Sequence, residues 1–311
     1  MERMKRKLNI FLCALLMIST ISLAACSSGT SGSKAEDESG KISVFTSIYP
    51  MYDFAGKIGG DKIDLYNMVP AGTEPHDWEP SPKDMARLEK ADVFIYNGSG
   101  MEGWVEKVLN SINKEDMIVV EASEGVDIIE NKPDDDEHIS DPHVWLDPMR
   151  AGKQMENIMN ALSKADPDNA KFYEENFRKY SVELEKLDKE YRDTLEKCEK
   201  KDIIVSHQAF GYLCDAYGLN QIAIGGLEAD TEPSAGKIAE ISDFVKEKNI
   251  KVIFFEELVS PKIAGVIAGE TGAETMVLNP LEGLGDEDIK AGRDYFSVMR
   301  DNLKALEKAL R

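Results

Sequence analysis

Short apolar runs alternate with helix-like stretches from about residue 42 to the end of the chain. The strand-like runs cover residues 42–48, 63–69, 93–96, 117–120, 203–206, 222–224, 252–255 and 275–278. Helical periodicity or capping signals mark residues 52–58, 104–112, 210–217, 234–248, 261–270 and 295–310, and a helix that Ser81-Pro82 begins. Because strands that alternate with helices usually form parallel sheets, the pattern predicts an α/β fold.

The middle of the chain interrupts this alternation with two long helical stretches. The first covers residues 149–165, and Asp166-Pro167 restarts the chain, with Asp166 as the expected cap of a second helix that reaches about Cys198. Roughly thirty helical residues span about 45 Å, the width of a domain. A surface helix or a coiled-coil partner is an alternative. We favour a rigid helix joining two lobes, since the alternation resumes directly after it.

The predicted organisation therefore has five parts. They are a signal peptide at 1–25, a flexible tether at 26–40, an N-terminal lobe at 41–165, a linking helix at 166–199 and a C-terminal lobe at 200–311. Each lobe is expected to hold a parallel-type sheet flanked by helices. Both lobes are expected to bind metal.

The first 25 residues have the pattern of a bacterial secretory signal. Four basic residues precede an apolar run at 8–21, and small residues then lead to Cys26. A cysteine at this boundary resembles a lipobox, which implies a lipid attached to Cys26. An ordinary signal peptide with an incidental cysteine is the alternative. Residues 27–40 are rich in Ser, Gly and charged residues, which is typical of a disordered tether.

The chain is strongly acidic, with a formal charge of −21. Loss of the four basic residues and one acid of the signal would take this to −24. Such a surface argues against nucleic acid or an anionic membrane as an electrostatic partner. Membrane attachment would therefore depend on the lipid. Cys198 and Cys214 either form a disulfide or remain reduced and partly buried, and the absence of a C-x-x-C pair argues against a cysteine zinc site.

Three of the four histidines lie in settings that suggest metal ligation. His76 and His143 each follow an acid and a proline, in Glu74-Pro75-His76 and Asp141-Pro142-His143, and His207 ends an apolar run. His76, His207 and Glu282 follow strand-like runs, and His143 lies in the loop before the long helices. Open α/β sheets bind ligands beyond the carboxyl ends of their strands. Three imidazoles and one carboxylate suit Zn²⁺. Spacing alone does not establish such a site.

Longer phrases around these residues resemble the metal-binding solute-binding lipoproteins of bacterial ABC importers, most closely the zinc-specific branch. The phrases are residues 75–84, 141–148, 205–212 and 255–262. The resemblance implies two α/β lobes joined by a rigid helix, Zn²⁺ held between them by His76, His143 and His207, and delivery to a membrane permease and its ATPase. We expect a monomer, anchored at the outer face of the cell membrane by the lipid on Cys26. A histidine at position 207 favours zinc over manganese or iron, whose binders tend to carry a carboxylate there.

The resemblance leaves the fourth ligand open. Many relatives place an aspartate where this chain has Asn279, and we favour Glu282, with water or the Asn279 oxygen as alternatives. Glu256 is expected to orient a histidine rather than bind metal. Trp78 and Trp145 are expected to pack around the cleft. Positions 134–138 and Asp141 form an acidic loop that is either a solvated loop or a weak collector of cations, and we assign His138 to that loop.

Other function classes fit less well. Three histidines with an open position would resemble catalytic zinc, but no H-E-x-x-H helix, nucleophile elbow or phosphate loop is present in the sequence. We therefore predict a binding protein rather than an enzyme. A manganese or iron carrier of the same importer family, and a surface adhesin, are the remaining alternatives.

Overall fold

The structure is a computed structural model that describes residues 40–130, 140–227 and 233–311. The predicted signal peptide, the lipidation site at Cys26 and the acidic positions 134–137 lie outside the described residues. His138 does as well.

The first half of the described chain forms a four-stranded parallel sheet. Its strands are β1 (Ile42–Thr46), β2 (Ile63–Asn67), β3 (Val93–Tyr96) and β4 (Ile118–Glu121), in the spatial order β2-β1-β3-β4. Val44 of β1 lies opposite Leu65 of β2 and Val93 of β3. The helices of this half are α1 (Tyr49–Gly59), α2 (Pro82–Leu88) and α3 (Val105–Leu109).

The second half repeats this arrangement. Its strands are β5 (Asp202–Val205), β6 (Asn220–Ala223), β7 (Val252–Phe255) and β8 (Glu274–Val277), all parallel and in the order β6-β5-β7-β8. Its helices are α6 (Gly211–Tyr217), α7 (Ala235–Glu247), α8 (Lys262–Thr271), α9 (Asp286–Lys290) and α10 (Tyr295–Leu310). The predicted two-lobed α/β fold is confirmed.

Two long helices separate the sheets. They are α4 (Pro148–Ala165) and α5 (Ala170–Leu195), with a short 3₁₀ turn at Pro167–Asn169 between them. Helix α5 packs against α1 and α4 of the first half and against α10 of the second. This is the linking helix that the sequence predicts, although the capping prediction for Asp166 is wrong. The Asp166 carboxylate accepts hydrogen bonds from the side chains of Asn169 and Tyr173 instead of from a backbone amide.

The central strands β3 and β7 are apolar along their whole length because both faces of their sheets are buried. Val44 and Val93 face a large core that both sheets share, while Phe45 and Phe94 face a smaller core on the outer side of the first sheet. The second sheet behaves in the same way, with Ile204 on its outer side. Parallel sheets covered on both faces typically have such unbroken apolar strands.

Several local signals behave as the sequence predicts. The Ser81 hydroxyl and the Asp84 carboxylate form a capping box at the start of α2. Ser234 caps α7 by accepting a hydrogen bond from Lys237 N, and Gly218 ends α6 in the left-handed conformation, with φ +65°. Helix α9 was not predicted, because its five residues carry no apolar periodicity.

Two further observations bear on the environment of the protein. Cys198 and Cys214 are both buried, free thiols, so the reduced alternative of the sequence analysis is the one the structure shows. Within the described ranges, no helix is long and apolar enough to cross a membrane.

Candidate metal centre

Four loops converge between the two sheets and bring His76, His143, His207 and Glu282 together. His76 lies in the β2–α2 loop, and His143 directly precedes a 3₁₀ turn at Val144–Leu146. His207 is two residues beyond β5, and Glu282 follows β8. The potential ligand atoms of these four side chains all lie within 4.8 Å of one another. The first sheet thus supplies two histidines, and the second supplies one histidine and the carboxylate.

One carboxylate oxygen lies at the centre of the group. Glu282 Oε1 is 2.9 Å from His143 Nε2, 3.0 Å from His207 Nε2 and 3.6 Å from His76 Nε2. His143 and His207 are completely or almost completely buried, and His76 keeps 8% of its side chain exposed. Three ring nitrogens that point at one place in a buried site form a suitable donor set for a single cation.

The nitrogen atom of His76 gives an independent sign that a cation fits here. His76 Nε2 is buried and has no hydrogen-bond partner among the described residues. A buried polar atom without a partner is costly and needs an explanation. A metal ion bound at this nitrogen would supply one.

Two buried carboxylates contact the far sides of the imidazole rings. Asp141 Oδ1 accepts hydrogen bonds from the backbone N–H of His143, at 2.9 Å, and lies 2.8 Å from its Nδ1. Glu256 Oε1 lies 2.7 Å from His207 Nδ1, at an angle outside hydrogen-bond geometry, and accepts from the His207 backbone N–H at 3.2 Å. A carboxylate at Nδ1 directs Nε2 and its lone pair toward a metal. Glu256 therefore lies where an orienting residue should.

Asp141 corrects the sequence analysis. It was grouped with the acidic loop, but its side chain is buried, with 1% of the residue exposed, and contacts His143. The signal was present in the repeated acid-proline-histidine phrase. Glu74 occupies the equivalent place before His76 and accepts a hydrogen bond from its backbone N–H at 3.1 Å.

The imidazoles and carboxylates of the site shift one another's pKa values. Burial by itself would raise the pKa of Glu282, but His207 and the other imidazoles around it lower that pKa well below its usual value. Burial opposes the charged form of His143, yet Asp141 and Glu282 raise the pKa of its ring. The pKa of His207 is raised well above its usual value, against burial, by Glu256 and Glu282.

Glu74 adds a second carboxylate beside His76. Burial, followed by the charge of Glu282, raises the pKa of Glu74 to about 7. Its carboxyl group therefore holds a proton more readily than an ordinary glutamate does.

The remaining residues singled out in the sequence lie around the group. The Asn279 side chain donates a hydrogen bond to Glu257 and accepts one from Leu281 N, so both of its polar atoms have protein partners. The buried indole of Trp145 donates to the carbonyl of Pro280 at 2.7 Å. Trp78 packs against the ring of Trp104, with 5.4 Å between ring centroids. Trp145 also lies beside the ring of His143, with 5.4 Å between ring centroids, whereas the contact of Trp78 with Trp104 lies in the smaller core of the first sheet.

Comparisons with known proteins identify the family of the chain. Residues 44–309 match the family model described as zinc-uptake complex component A, periplasmic. The high-affinity zinc uptake system protein ZnuA of Bacillus subtilis (strain 168) is 44% identical over 298 residues, which cover 93% of each chain.

Two solved structures are similar in both sequence and fold. The Zn(II)-bound ZnuA-like domain of Streptococcus pneumoniae AdcA is 41% identical, with a TM-score of 0.78 over 87% of this chain and 99% of that one. The laminin-binding protein Lmb of Streptococcus agalactiae, described as a bifunctional protein with adhesin and metal transporting activity, is 36% identical, with a TM-score of 0.79 over 87% of this chain and 100% of that one. From the matched length and these identities, the chain belongs to the zinc-uptake complex component A family.

Proposed function

We propose that this protein captures extracytoplasmic Zn²⁺ in the cleft between its two lobes and delivers it to an ABC permease. The observation that carries the proposal is the convergence of three imidazole Nε2 atoms on one oxygen of Glu282. In this proposal His76, His143, His207 and Glu282 are the four ligands. Zinc is the transported cargo.

The chemistry of the donors favours zinc over the metals of the alternative carriers. Three nitrogens and one oxygen match the four-coordinate sites that Zn²⁺ forms in proteins. Manganese and magnesium prefer sites rich in oxygen, with more ligands. Asn279 is a poor candidate for an additional oxygen ligand because its side-chain oxygen already accepts the Leu281 N–H.

The same ligand set supports a carrier rather than an enzyme. Catalytic zinc usually keeps a position for water or substrate, whereas four protein ligands fill a tetrahedral site. The four side chains are also almost fully buried, which leaves little access for a substrate. An adhesin role has support only from the description of the Lmb relative, and no described feature of this chain favours it independently.

Attachment to the cell surface follows from the N-terminal sequence. Cleavage before Cys26 and lipidation of its thiol would anchor the protein at the outer face of the cell membrane, with 26–40 as the tether. The permease and its ATPase would receive the metal there. We propose that the protein acts as a monomer.

Metal analysis provides the direct test of the proposal. Protein purified without added metal and then dialysed with equal concentrations of Zn²⁺ and Mn²⁺ should retain about one zinc per chain and little manganese. In cells, deletion of the gene should slow the uptake of radioactive zinc at low external concentration. A gene that encodes the Cys26→Ala variant should restore less of this uptake than the unchanged gene does. Retention of manganese in preference to zinc would contradict the assignment.

A further inference from the structure

We infer that Asn302, on the C-terminal helix α10, positions Glu282 for metal binding by holding the turn at residues 279–282, with Asn279 as the intermediate. This inference rests on the proposed role of Glu282 as a ligand. It concerns two amide side chains that do not belong to the ligand group.

The side chain of Asn302 bonds both backbone groups of Asn279. Asn279 N donates to Asn302 Oδ1 at 2.9 Å, and Asn302 Nδ2 donates to the carbonyl of Asn279 at 2.7 Å. Only 3% of Asn302 is exposed. Because Asn279 N is a donor and the Asn279 carbonyl is an acceptor, these contacts fix which end of the Asn302 side-chain amide carries the oxygen.

Asn279 continues the chain of contacts toward the ligand. Its Oδ1 accepts the N–H of Leu281 at 2.7 Å, and its Nδ2 donates to Glu257 at 2.7 Å. Leu281 directly precedes Glu282 and has φ +60°, a conformation that residues other than glycine rarely adopt. Such a conformation persists where the surroundings impose it, often at ligand sites.

The turn is fixed at each backbone polar group from Asn279 N to Leu281 N. Pro280 has no N–H, and its carbonyl accepts the indole N–H of Trp145 at 2.7 Å. The side chain of Leu281 is completely buried. Three side chains, those of Asn302, Asn279 and Trp145, therefore set the orientation of Glu282. Asn302 holds the first residue of the turn. Without Asn302, the N–H and carbonyl of Asn279 would lose their partners and the turn could relax, moving the Glu282 carboxylate away from the imidazoles.

The test is a double-mutant cycle on zinc affinity with Asn302→Ala and Glu282→Ala, measured by competition with a chromophoric chelator. Loss of a residue that orients a metal ligand typically weakens metal binding by about 10- to 100-fold, and we expect this for Asn302→Ala. In the Glu282→Ala background the same change should alter affinity by less than about threefold, since the ligand that it positions is absent. Asn279→Ala should behave like Asn302→Ala and adds a second variant if the first does not fold.

Val298→Ala is the matched control, because Val298 is also fully buried and lies one helical turn earlier in α10. It should lower the melting temperature of the metal-free protein while leaving zinc affinity within about threefold, as expected for a change remote from the ligands. The inference is overturned if Asn302→Ala weakens binding equally in both backgrounds, or if neither asparagine variant weakens it. An unchanged affinity for Glu282→Ala alone would instead overturn the proposed ligand set.

Discussion

At the scale of single residues, the carboxylates of the site have two different roles. One offsets the charge of a bound cation, and the others contact the far sides of the imidazole rings. Glu282 faces the Nε2 atoms of the rings, while Asp141 and Glu256 contact the Nδ1 atoms of His143 and His207. His76 has no carboxylate of this kind among its described contacts. Carboxylates thus lie beside the Nδ1 atoms of two of the three imidazoles, where they favour Nε2 as the atom that binds metal.

Replacement of His207 by alanine should have a much larger effect than replacement of His138. We expect His207→Ala to weaken zinc binding at least about 100-fold, because even the loss of an orienting neighbour commonly costs 10- to 100-fold. His138→Ala should stay within about threefold if its loop is peripheral to the site. Competition with a zinc chelator would measure both variants. Similar losses for the two would contradict the assignment of His207.

Zinc affinity should also fall steeply in acid. The pKa values of His143 and His207 are raised in the metal-free protein, so their rings hold protons to a pH above the ordinary histidine value of about 6.5. Zinc must displace these protons, and affinity should therefore drop by about tenfold to a hundredfold per pH unit as pH decreases through this range. Titrations between pH 8 and pH 5 would show this dependence. Equal affinities at the two ends would argue against imidazole ligation.

At the scale of secondary-structure elements, contacts between helices hold the two halves together behind the site. Lys57 of α1 lies 2.8 Å from Asp53 and 2.9 Å from Asp294, the residue that caps α10. The same ammonium group lies over the rings of Tyr180 in α5 and Phe296 in α10. One largely buried lysine, with 12% of its side chain exposed, thus joins the linking helix to elements of both halves.

Replacement of Lys57 by methionine should destabilise the whole fold. It would leave the buried Asp53 without its cation, and breaking a buried ion pair typically costs about 3–5 kcal/mol. We expect a value near the lower end, about 3 kcal/mol, because Asp294 is 34% exposed. Chemical denaturation would measure the loss. Lys62→Met, at a more exposed lysine, should change the free energy of unfolding by no more than about 0.5 kcal/mol and serves as the control.

The elements themselves could largely be predicted from the sequence. The strands Val93–Tyr96 and Val252–Phe255 and the helix Tyr295–Leu310 have the predicted bounds, since their apolar patterns are set by burial on neighbouring faces. Contacts between distant residues could not be predicted in this way. The pairing of Asn279 with Asn302 depends on how β8 and α10 pack. The burial of Asp141 is marked only by the repeated acid-proline-histidine phrase, because no apolar periodicity covers the turn in which it lies.

At the scale of the whole molecule, the four ligands come from both halves of the chain, so a bound ion would link the two lobes directly. Trp145 also links the two halves, because its indole N–H bonds the Pro280 carbonyl and its own carbonyl accepts the hydroxyl of Tyr295.

Zinc should raise the melting temperature of the protein in a concentration-dependent manner. A ligand that binds only the folded state adds about 2.7 kcal/mol of stability at 100 times its dissociation constant. In the metal-free protein, the raised pKa values of His143 and His207 contribute stability below pH 6.5 that is lost as pH rises through those values. The gain from zinc should thus be larger at pH 8 than at pH 6, as calorimetry with and without a chelator would measure. An equally small stabilisation by zinc at pH 8 and at pH 6 would contradict zinc binding by these histidines.

A crystal structure of the zinc-loaded protein tests the central claim most directly. The account predicts one four-coordinate zinc ion between the lobes, bonded to the Nε2 atoms of His76, His143 and His207 at about 2.0–2.1 Å and to a carboxylate oxygen of Glu282 at about 2.0–2.2 Å. Zinc bound elsewhere, or any of these three rings turned away from the ion, would contradict it.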